Sequence, residues 1–435
     1  MLPLEFAVQP GSLQTATEHS SKSFTRPDLQ AIVAASLPDA RQPIQGTLCQ
    51  PGSEIKSADS VLAISLGSKG SYRRKWKLEG CSEFMAVSDE EFKKIVDIAN
   101  QAVWKTPNLN VLTPRADGLE YSVIASTLQE MLKFHDSQGK LFLPDLRAFS
   151  NKHVAIFSDY AGEGSGNYHT YSVLICAWDA LGPLRSRMEE IRERHALGKK
   201  EIAFKDFGMG QVSRALPDFL RAADSIHGFL CTLAINKKLP SVFGIPNRAT
   251  QKELSKMLLE AGLGTWKDEV AEKLLRIVHL TSFVTALLAH DGQQLFWMTD
   301  NDAISPNKES HEHALAVFQR VLDIYKRPTV TFPLIGGALP FEEKAVEFMD
   351  SLSVTDVTAS SVEHYLTQKD LNGEGEFGVK VGSDLVLRWL ARDGAGLKKA
   401  TFIMQPAANG AINRGSLEFN LVKPLENVLL IPIYK

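Results

Sequence analysis

The sequence predicts an α/β protein, a mixed sheet with flanking helices, preceded by an N-terminal α+β region and followed by a small C-terminal α+β appendage. Three observations carry this. Val154–Phe157, in the stretch VAIFSDYAGEGSG, is apolar and suits a buried strand, which runs through Ser158 and Asp159 into a glycine-rich turn at Gly162, Gly164 and Gly166. Tyr168–Trp178 (YHTYSVLICAW) is rich in Tyr, Thr, Val and Ile and reads as the second arm of a hairpin. Downstream, strand-like runs alternate with segments of helical periodicity as far as about residue 370.

The first 57 residues give weak signals, with one short helix expected at Arg26–Leu37. Val61–Leu66, a Gly-Ser-Lys-Gly turn and Ser71–Leu78 read as a β-hairpin. Its second strand, SYRRKWKL, sets Arg73, Lys75 and Lys77 on one face and Tyr72, Arg74 and Trp76 on the other. Basic residues interleaved with aromatics suit phosphates and bases, so Arg73, Arg74, Lys75, Trp76 and Lys77 are candidate nucleic-acid contacts. A solvated edge strand protected by Lys and Arg is the alternative. A capping box at Ser88 and Glu91 opens an amphipathic helix over Asp89–Trp104, and a second helix is expected over Ser122–Phe134. Gly139–Ser150 reads as a linker, which sets residues 1–150 apart as a region of their own.

After the central hairpin, helices are expected at Leu184–His195 and Gln211–Asp224, and strands at Lys200–Phe207 and His227–Asn236. A helical insert follows at about 245–290. Then come a strand at Gln294–Asp300, a helix at His311–Tyr325, a short strand at Thr329–Pro333 and a helical region at Glu342–Leu366. From 371 onward, strands at Glu376–Val381, Ala400–Gln405, Ser416–Val422 and Val428–Tyr434 surround a helix at Asp384–Arg392 capped by Ser383. They form either the appendage of residues 371–435 or strands added to another domain.

At 435 residues the chain is long for one core, so two or three domains are expected. Hydrophobic residues at 44% and charged residues at 23% are those of an ordinary globular protein. A net charge of -3 confines any nucleic-acid surface to a local patch. Cys49, Cys81, Cys176 and Cys231 are far apart and lack CxxC spacing, which argues against a zinc knuckle and for a reducing, cytoplasmic setting. The N-terminus lacks the charged and apolar regions of a secretory signal, and the longest apolar stretch, Ile277–Ala289, is too short to span a bilayer, so no membrane association is expected. The glycine turn lacks the Lys-Ser/Thr of a phosphate loop. His311 and His313, two apart, share no helical face.

Acids recur beside strands: Asp159 after the first, Glu201 before IAFKDF and Asp300 after QLFWM. Asp356 lies in a late helix among the apolar or small neighbours Val354, Val357, Ala359 and Val362. Taken singly, each has a plain reading: Asp159 as a turn cap, Glu201 as a surface charge, Asp300 as the start of a turn, Asp356 as a helix cap. Asp302 reads as a turn residue. Gathered at one end of a sheet, four carboxylates repel one another and are tolerated around cations. Hard oxygen ligands select Mg²⁺ or Mn²⁺, and two such ions roughly 3.5–4 Å apart suit phosphodiester hydrolysis.

This order of elements resembles the ribonuclease H-like nucleases, and more narrowly a bacterial family of uncharacterised ribonuclease H-like proteins. That family opens with Asp-Glu-Ser-Gly after a buried strand and closes with a Leu-x-x-Ala-Asp-x-x-Ala helix. Here the opening is Asp159-Tyr160-Ala161-Gly162, and the closing helix runs from Leu352 through Asp356 to Ala359, so Tyr160 stands where the family has Glu. The resemblance covers about residues 151–370. It implies a metal-dependent nuclease in which Asp159 bridges both ions, Asp300 and Glu201 hold one, Asp356 holds the other, and Lys205 offsets charge on the scissile phosphate. It also implies a bacterial defence or mobile-element setting, with protein partners bound through the terminal regions. The alternative expectation is a catalytically inactive scaffold of the same fold that binds nucleic acid or assembles a complex.

Overall fold

The computed structural model describes residues 6–10, 61–65, 104–105, 108–113, 120–148, 152–239, 241–243, 247–338, 346–373, 378–394, 396–408, 410–419 and 428–432. In chain order the strands are β1 (Phe6–Pro10), β2 (Val61–Ser65), β3 (Trp104–Lys105), β4 (Leu143–Pro144), β5 (His153–Ala161), β6 (Tyr168–Ala177), β7 (Gly228–Asn236), β8 (Gln294–Thr299), β9 (Ile335–Ala338), β10 (Leu397–Pro406), β11 (Ile412–Phe419) and β12 (Val428–Pro432). The α-helices are α1 (Val123–Ser137), α2 (Gly182–Arg194), α3 (Gly210–Ala223), α4 (Asn247–Glu260), α5 (Asp268–Leu288), α6 (Lys308–Tyr325), α7 (Val346–Asn372) and α8 (Ser383–Leu390).

Seven strands form a mixed sheet in the order β11-β10-β7-β6-β5-β8-β9, and β1 pairs along its β11 edge. β6 runs antiparallel to both β5 and β7, whereas β8 and β9 run parallel to β5. β7 is buried along its whole length and β6 nearly so, as expected for strands covered on both faces. Strand alternation assigns the faces. Tyr168 packs with Val362 and Tyr365 of α7, whereas Tyr160 and Tyr171 meet Lys273 and Arg276 of α5. Thus α7 and α5 cover opposite faces of the central strands. The 21-residue α5 is apolar on nearly all sides because α1, α4, α6 and the sheet surround it.

The element types expected at the central hairpin, at β7, β8, α1–α7, β10 and β11 match the structure, with ends shifted by a few residues. β10 and β11 lengthen the central sheet beside β7, the second of the two arrangements open for the residues after 371. β12 pairs instead with β2, and the expected hairpin partner of β2, residues 71–78, lies outside the described residues. The helix expected at Arg26–Leu37 also lies outside them, as does 89–103 of the helix expected at Asp89–Trp104. Its last residue, Trp104, belongs to β3, which pairs with β4 inside the expected linker.

Four expectations need correction. Lys200–Phe207 is not a strand: residues 201–203 are irregular and Phe204–Asp206 makes one 3₁₀ turn, because side chains rather than a neighbouring strand satisfy this backbone. Thr329–Pro333 is not a strand either. Asp291 accepts both the N–H and the hydroxyl of Thr331 at 2.7 and 2.9 Å, which holds a turn there and starts β9 at Ile335. The described part of Glu376–Val381 is not extended into a sheet; the Lys380 N–H donates to His364 Nε2 at 2.9 Å. Finally, α8 is capped by Gly382 at φ +90°, with Ser383 already inside the helix.

Candidate acidic centre at the sheet end

Asp159 lies inside β5 rather than at its end, opposite Ser172 of β6. Ser158 and Thr299 are the last paired residues of β5 and β8, so Asp159 and Asp300 are the next residue on each of two adjacent parallel strands. On the sheet face opposite Ser158 and Tyr160, Asp159 looks toward α7, which crosses β5 and β6 and carries Asp356. The glycine hairpin that follows β5 is forced by sterics. Gly162 has φ +96°, and a Cβ there would sit 1.9 Å from the Tyr168 carbonyl oxygen. The hairpin is tied down at both sides: Lys237 Nζ donates to the Gly164 carbonyl at 2.8 Å, and the Asn167 N–H donates to Thr367 Oγ1 of α7 at 2.9 Å.

Glu201 comes from the irregular segment between α2 and α3. Arg192 holds that segment, donating to the carbonyls of Gly198 at 2.7 Å and Lys200 at 3.0 Å while it pairs with Asp350 of α7. Further along, the Phe204 N–H donates to Asp356 Oδ2 at 2.9 Å, and Lys380 Nζ donates to the Phe204 carbonyl at 2.7 Å. Ser360 donates to the other Asp356 oxygen at 3.1 Å. Lys205 reaches back to Glu201 at 2.8 Å, and its side chain is 73% exposed.

The electrostatics agree with this gathering. Burial holds the Asp159 carboxyl well above the usual carboxylate range, and the charges of Asp356, Asp300 and Asp302 add to the effect. Burial raises Asp300, with Glu201 adding repulsion against a backbone hydrogen bond from Asn301. Burial pushes Asp356 up to about 6, against its hydrogen bonds from Phe204 and Ser360, with Glu201 and Asp300 contributing. Asp302 rises to about 6, again mainly through burial. The hydrogen bond to Glu201 raises Lys205.

Asp159, Asp300 and Asp356 therefore lie within electrostatic reach of one another, Glu201 lies within reach of Asp300 and Asp356, and Lys205 stands beside Glu201. Among the described residues, no three His, Cys, Asp or Glu side chains are placed as a ready-made metal-ligand set. Arg73, Arg74, Lys75, Trp76 and Lys77 lie outside the described residues. Sequence reasoning missed Lys273 of α5, whose ammonium contacts Glu163 and Asp302 and lies 3.4 Å from the centre of the Tyr160 ring. It treated Asp302 as a turn residue. Asp302 does accept the Ile304 N–H at 3.1 Å in such a turn, but it also meets Lys273. A signal was present: Glu272, Lys273 and Arg276 interrupt a helix that is otherwise mostly apolar from Val270 to Leu288.

Among the described residues no helix is long and apolar enough to cross a membrane. Cys176 and Cys231 are buried free thiols. No protein-family model matches the chain, and no curated protein matches it.

Proposed function

We propose that this chain is a divalent-metal-dependent nuclease with a ribonuclease H-like core, which hydrolyses phosphodiester bonds in nucleic acid. The observation that carries the reading is the arrival of Asp159, Glu201, Asp300 and Asp356 at one end of the sheet from four separate elements. The order of those elements, a strand with Asp159, its antiparallel partner, a further strand, a helical insert, a parallel strand leading to Asp300 and a late helix with Asp356, follows the order on which the resemblance rests except for the strand expected at Lys200–Phe207, which is absent.

The chemical type of the donors suits a hard cation, although the described residues do not assemble them as a ready-made ligand set. All four donors are carboxylates, and burial raises Asp159, Asp300 and Asp356 above their ordinary range, a strain that a divalent ion relieves. Asp159, Asp300, Asp356 and Glu201 would hold Mg²⁺ or Mn²⁺, which when bound polarises the phosphoryl oxygen and activates water. The protein's own groups supply the rest. Lys205, mostly exposed beside Glu201, would offset charge on the scissile phosphate. The interleaved Arg73, Arg74, Lys75, Trp76 and Lys77 would contact nucleic acid.

A second reading, a catalytically inactive scaffold of the same fold, is favoured by one observation: the Lys273 ammonium already sits beside the acids. Cleavage of labelled single- and double-stranded DNA and RNA in Mg²⁺ or Mn²⁺ separates the two. The nuclease reading expects cleavage by wild type that Asp159→Ala and Asp356→Ala lose while remaining folded. Binding without cleavage on all four substrates moves the assignment to the scaffold.

A further inference from the structure

Lys200, Lys205, Lys273 and Lys380 border the acidic centre, and three of them are matched to carboxylates. Lys205 meets Glu201 at 2.8 Å, Lys200 meets Asp206 at 2.9 Å, and Lys273 is in contact with Glu163 and Asp302. Lys380 differs: among the described residues no carboxylate pairs with its ammonium. Its partners are neutral. It donates to the Phe204 carbonyl at 2.7 Å and to the Lys205 carbonyl at 3.5 Å, and it stands 4.1 Å from the centre of the Phe204 ring. An ammonium has three donors, of which these carbonyls take two.

Two anchors fix this lysine. Its N–H donates to His364 Nε2 at 2.9 Å, which ties its backbone to α7, the helix that carries Asp356. Its side chain is tied to Phe204, whose own N–H donates to Asp356 Oδ2 at 2.9 Å. Phe204 thus holds the acid by its N–H and the ammonium by its carbonyl. Backbone dimensions then set the ammonium at most about 9 Å from that carboxylate oxygen. Burial draws the Lys380 ammonium below the usual lysine range, and the charges of Asp356 and Asp206 oppose this, so Asp356 is within its electrostatic reach. Gly382, two residues on, is seated on the same turn: a Cβ there would sit 2.8 Å from the Phe207 ring.

We propose that Lys380 binds a backbone phosphate of nucleic acid next to the scissile one. The inference rests on the nucleic-acid reading above and adds a contact which that reading does not use. Carbonyls and a ring face orient the ammonium without neutralising it, and a phosphodiester oxygen supplies the missing counter-charge together with an acceptor for the remaining proton.

The test is fluorescence anisotropy of the full chain with labelled single- and double-stranded DNA and RNA, in EDTA so that nothing is cleaved, over a salt series. On the nucleic acid that wild type binds most tightly, Lys380→Met is expected to weaken binding about 3–10-fold at low salt and to lower the salt slope by about 1. Lys380→Arg, which keeps the charge, is expected to keep the slope. Lys252→Met removes an exposed lysine of α4, which packs on α5 across the sheet, and is expected to match wild type. A folded Lys380→Met with wild-type affinity and slope, or an equal loss in Lys252→Met, overturns the inference and leaves the nucleic-acid reading standing. Amine acetylation read by mass spectrometry needs no variant to fold. Saturating nucleic acid is expected to protect Lys380 of the wild-type chain several-fold, and unchanged labelling also overturns the inference. No binding by wild type to any of the four nucleic acids overturns the nucleic-acid reading itself, and the inference falls with it.

Discussion

The Phe204 N–H donates to Asp356 Oδ2 at 2.9 Å, joining the segment that carries Glu201 to the helix that covers Asp159. The bond makes Asp356 both a candidate ligand and a structural acceptor, and the two roles can be separated. Asn keeps a carbonyl oxygen for Phe204 and has no charge to bury. Asp356 titrates at about 6 in the fold against 3.8 as its ordinary value, so its ionised form is disfavoured by folding. Each pKa unit corresponds to about 1.4 kcal/mol, so Asp356→Asn should raise metal-free stability at pH 7.5 by about 2–3 kcal/mol at most. The gain should shrink toward pH 4, where the native carboxyl is already protonated. Thermal melts at the two pH values check this, and the same variant should lose cleavage at least 100-fold.

Metal dependence should carry the same sign. In the metal-free protein, Asp356 and Asp302 titrate at about 6 and Asp159 well above the ordinary range, so the native state holds extra protons below those values. A divalent ion must displace them. Stabilisation by 5 mM Mn²⁺ should therefore be larger at pH 7.5 than at pH 5.5, and it should vanish on chelation. Without metal, stability should fall as pH rises through about 4 to 6 and beyond, because the buried acids ionise in the fold at higher pH than in the unfolded chain. Melting curves with and without Mn²⁺ across that range measure both effects. Equal metal shifts at the two pH values would contradict the protonation argument.

Much of this centre was legible in the sequence because its acids sit next to strong local signals. Asp159 and Asp300 follow apolar runs of strand composition, and Asp356 interrupts an apolar helical face. Each such carboxylate is conspicuous beside residues that bury themselves. Glu201 was located but its setting was misjudged: KEIAFKDF has strand-like composition, yet its backbone groups are taken by Arg192 at Lys200 and by Asp356 and Lys380, from far along the chain, at Phe204. Lys273 was missed for a related reason. Its partners Glu163 and Asp302 lie 110 and 29 residues away, and only the folded hairpin and turn bring them together. The displaced β9 follows the same pattern, since Asp291 claims Thr331 from 40 residues away.

Gly162 should be intolerant of any side chain. Its φ of +96° already costs a non-glycine residue about 1–3 kcal/mol, and a Cβ would press on the backbone carbonyl of Tyr168, which cannot swing aside. Gly162→Ala should lower the melting temperature and, by shifting the hairpin, loosen Glu163 from Lys273. Gly164→Ala, with nothing within 4 Å of its added Cβ, is the control and should stay near wild type in stability. Denaturant melts of the two variants make the comparison. Equal losses would mean that the strain at Gly162 is not what fixes this hairpin.

Arg192 tests whether the loop around Glu201 is held from behind. Its guanidinium spans Asp350 of α7, with side-chain exposures of 12% and 6%, and reaches the carbonyls of Gly198 and Lys200. Burial raises the Asp350 carboxyl while the Arg192 hydrogen bond opposes the rise, so removing the arginine leaves a buried acid without its cation. Arg192→Met should destabilise by about 3–5 kcal/mol. Asp350→Asn should cost less, because an amide still accepts from the guanidinium, and the double variant should recover part of the loss of the first. A double-mutant cycle measured by urea unfolding reads the coupling directly. The positioning claim needs a separate readout. The double variant, with its charges balanced but the carbonyls of 198 and 200 released, should bind Mn²⁺ more weakly than wild type at matched stability. Unchanged Mn²⁺ affinity there would reduce Arg192 to a brace between α2 and α7 with no hold on Glu201.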